Sequence, residues 1–154
     1  MDEKKEACPF CEIVGGKIQT RRVYEDDHVL VILDINPASP GHLLLMPKKH
    51  FRTLTELPIA LTTYLATICK QLSWAVLRTL QAQGTTIILA QGEAAGQHVP
   101  HLLFHIIPRK EQDGLMPINI PQQPFTAQDL NDVKAMIIHG IKHIIEGMPK
   151  GENA

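Results

Sequence analysis

The chain has 154 residues, of which 20% are charged, and its formal net charge is −1 at pH 7. A net charge this small gives no basic field to attract nucleic acid, and no run of about 18 apolar residues is present to span a bilayer. We therefore expect neither a nucleic-acid nor a membrane partner, and the lack of an apolar signal segment leads us to expect a cytoplasmic protein.

The length favours one domain. A chain of this size can bury roughly two thirds of its unfolded surface in a single core. We expect one domain over residues 8–147, preceded by an N-terminal tail over residues 1–7 and followed by a C-terminal tail over residues 148–154.

The first motif along the chain is a Cys-x-x-Cys pair, Cys8 and Cys11. In a reducing compartment this spacing is typical either of half a zinc site or of a redox pair. A redox pair of the thioredoxin type follows a strand, and no strand is predicted before Cys8. The motif therefore favours zinc, which needs two further soft or borderline ligands to complete a tetrahedron.

The next part of the chain predicts two strands and a long helix. Apolar runs at residues 29–33 and 42–46 are typical of strands, and segment 34–41 between them contains prolines and a glycine that cannot continue a central strand. Apolar residues then recur at three- and four-residue steps over 57–80. This period predicts one amphipathic helix, with Gly84 as its expected stop.

A second strand pair and a last helix complete the pattern. Residues 85–89 predict a strand, and a glycine turn at 92–96 leads into a further one. Thr126 is a candidate cap for a helix with an apolar stripe at Leu130, Val133, Ile137, Ile141 and Ile144. Strands and helices are segregated along the chain, which favours an α+β fold with an antiparallel sheet.

The most informative stretch is the histidine-rich run at residues 98–109. Its composition is typical of a strand, in which alternation places His101, Leu103 and His105 on one face. The three histidines of this run would also share one face of a helix, as metal ligands do. Pro100 argues against that helix, because an interior proline costs about 3 kcal/mol.

Several segments between about residues 8 and 110 match one known family in order and spacing. They are Cys8-Pro-Phe-Cys11, Val23-Tyr24-Glu25-Asp26, Asp34-Ile35-Asn36-Pro37 with Pro40-Gly41-His42, Pro47-Lys48-Lys49-His50, the turn from Gly92 to Gln97, and Pro108-Arg109. With them the chain resembles the histidine triad (HIT) family, close to its nucleotide-hydrolase and phosphoramidase branch. The resemblance implies an antiparallel sheet with one long and one shorter helix, paired as a two-fold homodimer.

The chemistry of that family depends on His-x-His-x-His, whose middle imidazole attacks the α-phosphorus of a nucleotide and forms a covalent intermediate. Here Leu103 occupies the middle position and offers no lone pair. Two further departures are Ala90, where the family usually has asparagine, and His98, where it has a small polar or acidic residue. His98 is either a phosphate-contacting or solvated turn residue or a substitute nucleophile. We expect reduced or lost nucleotidyl transfer, with His98, Leu103 and His105 as the residues that decide it.

The resemblance also implies a site for a purine nucleotide or a related nucleoside phosphate. Asp34 matches an acidic residue that accepts hydrogen bonds from the ribose hydroxyls, and Ile35 belongs to the apolar wall for the base. Gln97, His98 and His105 keep donors near the phosphate position. Taken alone, Asp34 also suits a turn before the following proline.

The same resemblance assigns His50 and His101 as the ligands that complete the zinc site begun by Cys8 and Cys11. Such a Cys₂His₂ set leaves no open coordination position, so the zinc would be structural. His42 lies beside the active site in the family, where it either orients a triad ring by hydrogen bonding or is buried between strands.

Three functions remain open at this point. The first is a nucleotide-binding protein that has lost ordinary hydrolase turnover. The second is an active hydrolase or transferase that uses His98, His105 or a water molecule, and the third is a structural or interaction domain with a vestigial pocket. Leu103 and Ala90 argue against the second, and the retained Asp34, Gln97 and His105 argue against the third.

Overall fold

The computed structural model describes residues 8–115 and 122–145. The chain divides into two compact units, with the boundary between Leu115 and Met116. The tails expected at residues 1–7 and 148–154 lie outside the described residues.

The described part of the first unit consists of a five-stranded sheet, two α-helices and two short 3₁₀ segments. In chain order they are α1 (Pro9–Val14), β1 (Arg22–Glu25), β2 (Val29–Leu33), β3 (Leu43–Pro47), a 3₁₀ segment (Leu54–Glu56), α2 (Ile59–Thr79), β4 (Gly84–Ile88), a second 3₁₀ segment (Glu93–Ala95) and β5 (Phe104–Arg109). The strand order is β1-β2-β3-β5-β4, and every pair is antiparallel. The second unit contains α3 (Ala127–Ile145). The predicted α+β class is therefore confirmed.

The sheet buries side chains on both of its faces because successive residues of β2 and β3 are all apolar. Val29, Val31, Leu43 and Leu45 pack in one cluster with Leu65, Cys69 and Val76 of α2. Leu30, Ile32, Leu44 and Met46 pack in a second cluster with Ile13 of α1. Each fully buried aliphatic side chain contributes about 1.5–3 kcal/mol. We call the side of the second cluster the α1 face of the sheet.

The long helix ends for a reason that differs from the prediction. α2 ends at Thr79, and the Leu80 N–H bonds the Val76 carbonyl in the last turn. The chain then reverses at Gln81, which adopts a positive φ of 52°. Gly84, the expected stop, is instead the first residue of β4. That prediction is wrong because a non-glycine residue takes the left-handed conformation at the turn.

The histidine-rich strand begins later than alternation predicts. β5 starts at Phe104, so His101 and Leu103 lie in the loop before it. The backbone N–H of His101 bonds the Val99 carbonyl, and that of Leu102 bonds the Phe51 carbonyl. The backbone in this loop therefore makes turn and loop contacts in place of a strand ladder.

Two short elements, α1 and β1, escaped prediction. α1 has six residues and β1 has four, too few to show a clear period.

The predicted cap of the last helix is formed by Thr126. Before α3, Thr126 Oγ1 accepts the Asp129 N–H at 3.1 Å, and the Asp129 carboxylate accepts the Thr126 N–H at 3.0 Å. This is a reciprocal capping box. Among the described residues, no helix has the length and apolar character that crossing a bilayer requires.

The half-buried carboxylate of Asp26 links the β1–β2 turn to α2 through hydrogen bonds. Asp26 accepts hydrogen bonds from the Tyr24 hydroxyl at 2.9 Å, the Tyr64 hydroxyl at 2.5 Å, and the His28 and Val29 amides at 2.7 and 2.8 Å. Burial alone would raise the pKa of this carboxyl, but the hydrogen bonds outweigh it and lower the pKa to about 2.

Replacing Asp26 by Asn should destabilise the fold by about 1–3 kcal/mol, because hydrogen bonds to a charged acceptor are lost. The folded-state pKa lies below the unfolded value of about 3.9, so this stabilisation is present at neutral pH and is lost as the pH falls from about 4 toward 2. Thermal unfolding across that window should show a steeper loss in the wild type than in Asp26→Asn. Asp27→Asn removes a carboxylate charge from the adjacent residue and serves as the control. An equal pH dependence in all three proteins would contradict the assignment.

Candidate functional site

A cavity of about 450 Å³ opens on the α1 face, a volume within the range of small-molecule sites. It brings together all the residues predicted to bind a nucleotide and all three departures from the family pattern. The lining residues are Phe10, Asp34, Ile35, Asn36, Leu44, Ala90, Gly96, Gln97, His98, Val99, His101, Leu103 and His105.

The pairing of β3 with β5 positions the centre of this cavity. Leu44 lies opposite His105 in the register, so both side chains point to the α1 face. Leu103, just before β5, packs against the buried cluster that contains Leu44. The Leu103 side chain therefore continues the core into the cavity wall.

His105 is held by a second histidine. Its Nδ1 lies 3.0 Å from Nε2 of His42, the residue before β3. Burial lowers the pKa of both imidazoles, against the opposing charge of Asp34. Both rings are therefore neutral at pH 7.

Asp34 follows β2 and uses its two oxygens differently. Oδ1 accepts the Asn36 N–H at 2.9 Å, which forms the turn that its sequence context favours. Oδ2 lies 3.6 Å from Nδ1 of His42, and the side chain is 16% exposed. One carboxylate thus makes a turn and also keeps an acceptor at the cavity.

Ile35 and Phe10 contribute apolar surface to the cavity. Ile35 is 73% exposed, so a ligand that covered it would remove apolar surface from water. Phe10, which packs against the second core cluster, comes from inside the Cys-x-x-Cys motif of α1. Phe10 was not predicted to line the pocket, and its only signal in the sequence is its place between the two cysteines.

Gln97 and His98 follow the glycine turn and also line the cavity. The Gln97 side chain accepts the Gly92 N–H at 2.8 Å and donates to the Arg52 carbonyl at 2.8 Å. Its amide group therefore braces the turn in this state. His98 is exposed and lies on the cavity wall.

Cys8, Cys11, His50 and His101 form one cluster, with a potential ligand atom from each lying within 4.8 Å of the others. Nδ1 of His101 is 3.4 Å from Sγ of Cys8 and 3.7 Å from Sγ of Cys11, and Nδ1 of His50 is 3.2 Å from Sγ of Cys11. Tetrahedral zinc, with bonds of about 2.3 Å to sulfur and 2.0–2.1 Å to nitrogen, separates sulfur and nitrogen ligands by about 3.5 Å. The donor set and its spacing fit this metal.

The tautomer of His101 also fits a metal ligand. Nε2 lies 2.9 Å from the Pro47 carbonyl, which can only accept, so Nε2 carries the proton. The lone pair at Nδ1 then faces the two cysteines. Burial lowers the pKa of His101, which keeps the ring neutral at pH 7, and a backbone acceptor behind a ligating histidine is the usual second partner.

A sequence model of the HIT domain matches residues 15–112, which is more than half of the chain. The chain belongs to the HIT family. It is 45% identical over 108 residues to an uncharacterised HIT-like protein of Methanocaldococcus jannaschii, covering 70% of this chain and 82% of that one. It is also 40% identical over 108 residues to an adenylylsulfatase of Arabidopsis thaliana, covering 70% of this chain and 55% of that protein.

Solved structures of HIT proteins show the same fold. A HIT family protein from Bacillus subtilis superimposes with a TM-score of 0.78 at 30% identity, over 95% of this chain and 100% of the other. A zinc-bound histidine triad family protein from Mycobacterium smegmatis gives a TM-score of 0.67 at 32% identity, over 86% and 94% of the two chains. The predicted HIT-like antiparallel sheet is confirmed.

Proposed function

We propose that this HIT protein binds a purine nucleotide or a related nucleoside phosphate in the cavity on the α1 face, with ordinary nucleotidyl transfer reduced or lost. The observation that carries the proposal is Leu103, which lines a pocket that otherwise retains polar groups suited to a nucleotide. A methyl-bearing side chain has no lone pair with which to attack phosphorus. Removing a catalytic nucleophile typically lowers turnover by a factor on the order of 10⁴ to 10⁶.

The polar groups of the cavity match two neighbouring parts of a ribonucleotide. The Oδ2 oxygen of Asp34 suits the donor hydrogens of a vicinal diol, and His105, whose ring nitrogen lies within 4.8 Å of that carboxylate, suits a phosphate oxygen. Ile35 and Phe10 offer apolar surface to a base. In this proposal Gln97 supports the site by holding the glycine turn, and His98 lies where it can reach the phosphate from solvent.

The range of ligands follows from the family and from one relative. Because a relative is an adenylylsulfatase, adenylyl sulfate joins nucleoside phosphates and phosphoramidates as a ligand to be tested. All of them present an anionic group next to a ribonucleoside, so the same acceptor and donor positions would serve each.

A second candidate function is hydrolysis or transfer by His98, His105 or an activated water. The observation in its favour is that His98 is exposed and shares the cavity wall with His105. The third candidate is an interaction domain in which the pocket has no ligand. Binding measurements separate the third candidate from the first, and turnover measurements separate the second.

We further propose that Cys8, Cys11, His50 and His101 hold one structural zinc ion. The spacing of their donor atoms supports this, as does the zinc-bound relative. With four protein ligands the metal would have no open position, so it would join α1 to the segments after β3 and before β5 without taking part in chemistry.

We further propose that the protein is a cytoplasmic homodimer. A second copy of the chain is the partner that the family resemblance implies. Trp74 of α2 is 61% exposed, and Ile87 is 49% exposed on β4, an edge strand of the described sheet. Large apolar side chains on an edge strand and its neighbouring helix favour contact with another copy.

Titration with adenosine and guanosine monophosphates should give saturable binding at or below millimolar concentration. Asp34→Ala should weaken binding of the ribonucleotide about tenfold or more, because hydrogen bonds to a charged acceptor are lost. Binding of the 2′,3′-dideoxynucleotide, which lacks both hydroxyls, should change little in the same variant. Calorimetry would measure both. No binding of any ligand at millimolar concentration would leave only the interaction-domain function.

Leu103→His should restore hydrolysis of an adenosine phosphoramidate or adenylyl sulfate, with a gain on the order of 10³-fold or more over the wild type. Mass spectrometry should detect a nucleotidyl adduct on the variant alone. Leu103→Gln is the matched control, since it introduces a polar group of similar size without a nucleophilic ring. Wild-type turnover at ordinary enzyme rates, abolished by His98→Ala, would establish the second candidate function in place of the first.

Metal analysis of the purified protein should give about one zinc per chain. Cys8→Ser and Cys11→Ser should lose the metal and unfold at lower temperature, whereas Cys69→Ser should keep it. Cys69 is the control because it is a buried cysteine of α2 outside the cluster. A metal-free preparation with unchanged stability would remove the zinc proposal.

A further inference from the structure

Helix α1 connects the cluster of cysteines and histidines with the cavity. Phe10 lies between Cys8 and Cys11 in the chain, and its side chain lines the cavity. The Phe10 ring centroid is 6.0 Å from that of His101, and the two rings are tilted by 48°. His101 is itself both a member of the cluster and a lining residue of the cavity. The two sites therefore meet at Phe10 and His101.

The position of α1 depends on a small number of anchors. The helix has only six residues, and an isolated helix shorter than about 12–15 residues is marginal in water. Its C-terminal end is held by the buried side chain of Ile13 and by Arg22, which donates to the Ile13 carbonyl at 2.7 Å. At its N-terminal end, Sγ of Cys8 and Sγ of Cys11 lie 3.4 and 3.7 Å from Nδ1 of His101. The cluster is therefore the polar anchor of the end that carries Phe10.

This anchor is strong only when the cluster binds a cation. Two thiolates at this spacing would repel each other, and two thiols would offer only weak hydrogen bonds to the imidazoles. With zinc, the same four donors make bonds of about 2.0–2.3 Å. Because the ligands of one metal are fixed relative to one another, metal binding orders the segment that carries them. In α1 that segment includes Phe10.

We propose that zinc binding at the cluster and nucleotide binding in the cavity are thermodynamically coupled, with Phe10 and His101 as the shared residues. This rests on the two proposed sites and adds a regulatory link between them. Docked α1 presents Phe10 and His101 to the ligand, and the ligand in turn holds α1 against the sheet. Coupling of two binding sites is reciprocal, so each partner strengthens the other by the same factor. Loss of zinc would therefore weaken nucleotide binding, and bound nucleotide would retain the zinc.

Two titrations measure this coupling in opposite directions. Calorimetry with adenosine monophosphate should give an affinity about tenfold lower for zinc-free protein than for zinc-loaded protein. Competition with a chelator of known zinc affinity should show that saturating adenosine monophosphate tightens zinc binding about tenfold as well. An affinity for adenosine monophosphate that does not depend on zinc would overturn the proposal.

Two substitutions in α1 separate the coupling from a general effect on packing. Phe10→Leu should keep the metal but lower the coupling factor to about twofold or less, because leucine lacks the ring that lies near His101 and lines the cavity. Val14→Ala is the matched control, since Val14 packs against the same core cluster and is not among the lining residues of the cavity. It should keep the full coupling factor. Equal coupling factors in Phe10→Leu and the wild type would contradict the role of Phe10.

A measurement on metal-loaded protein covers the case in which the zinc-free chain unfolds, which circular dichroism would reveal. Co²⁺ accepts the same tetrahedral ligands, and its visible absorption bands report their geometry. Saturating adenosine monophosphate should change these bands in the wild type and in Val14→Ala, and should change them less in Phe10→Leu. Bands that stay the same in the wild type would overturn the coupling.

Failure of the underlying proposals would look different. Zinc-loaded protein that binds no adenosine monophosphate would refute the proposed nucleotide function, and protein that binds no zinc would refute the proposed metal site. Either result would remove the coupling with it. Binding of both partners with independent affinities would overturn the coupling alone.

Discussion

The antiparallel pairing of β3 with β5 is the constraint on which the site depends. It sets Leu44 opposite His105 and brings His42, the residue before β3, within hydrogen-bond distance of the same ring. Both strands are internal to the sheet, and β3 is buried along its whole length. A shift of one residue in this pairing would turn His105 to the opposite face of the sheet, away from the cavity. The register of two packed strands therefore fixes the direction of His105, whereas the loop residues of the site are held by hydrogen bonds.

In the proposed function, this arrangement separates ligand binding from nucleotidyl transfer. A hydrocarbon at position 103 adds to the core and costs nothing in desolvation, whereas an imidazole there would have to be partly buried. The polar groups that remain around it are held by the backbone: Asp34 by its own turn, Gln97 by the glycine turn, and His42 by the Ala38 amide. The shape of the pocket therefore does not depend on a polar side chain at position 103.

Most of the fold was predictable, because the central strands and α2 carry long, regular apolar patterns. The segments that escaped are short or depend on distant contacts. α1 and β1 are too brief to show a period, and the chain reversal after α2 uses Gln81 in a conformation that usually requires glycine. His101 leaves the expected strand because its ring is buried beside α1, where Nε2 meets the Pro47 carbonyl.

The sequence by itself determined the α+β class, the HIT resemblance and the absence of a nucleophile at Leu103, since each follows from residue types at fixed spacing. Only the tertiary structure decided that Nε2 of His101 carries the proton, because this nitrogen faces the Pro47 carbonyl. It also decided that the Gln97 amide braces a turn and that Phe10 reaches the pocket. The reason is physical: the protonation and pairing of a polar group depend on neighbours that come from remote parts of the chain, and no local pattern encodes them.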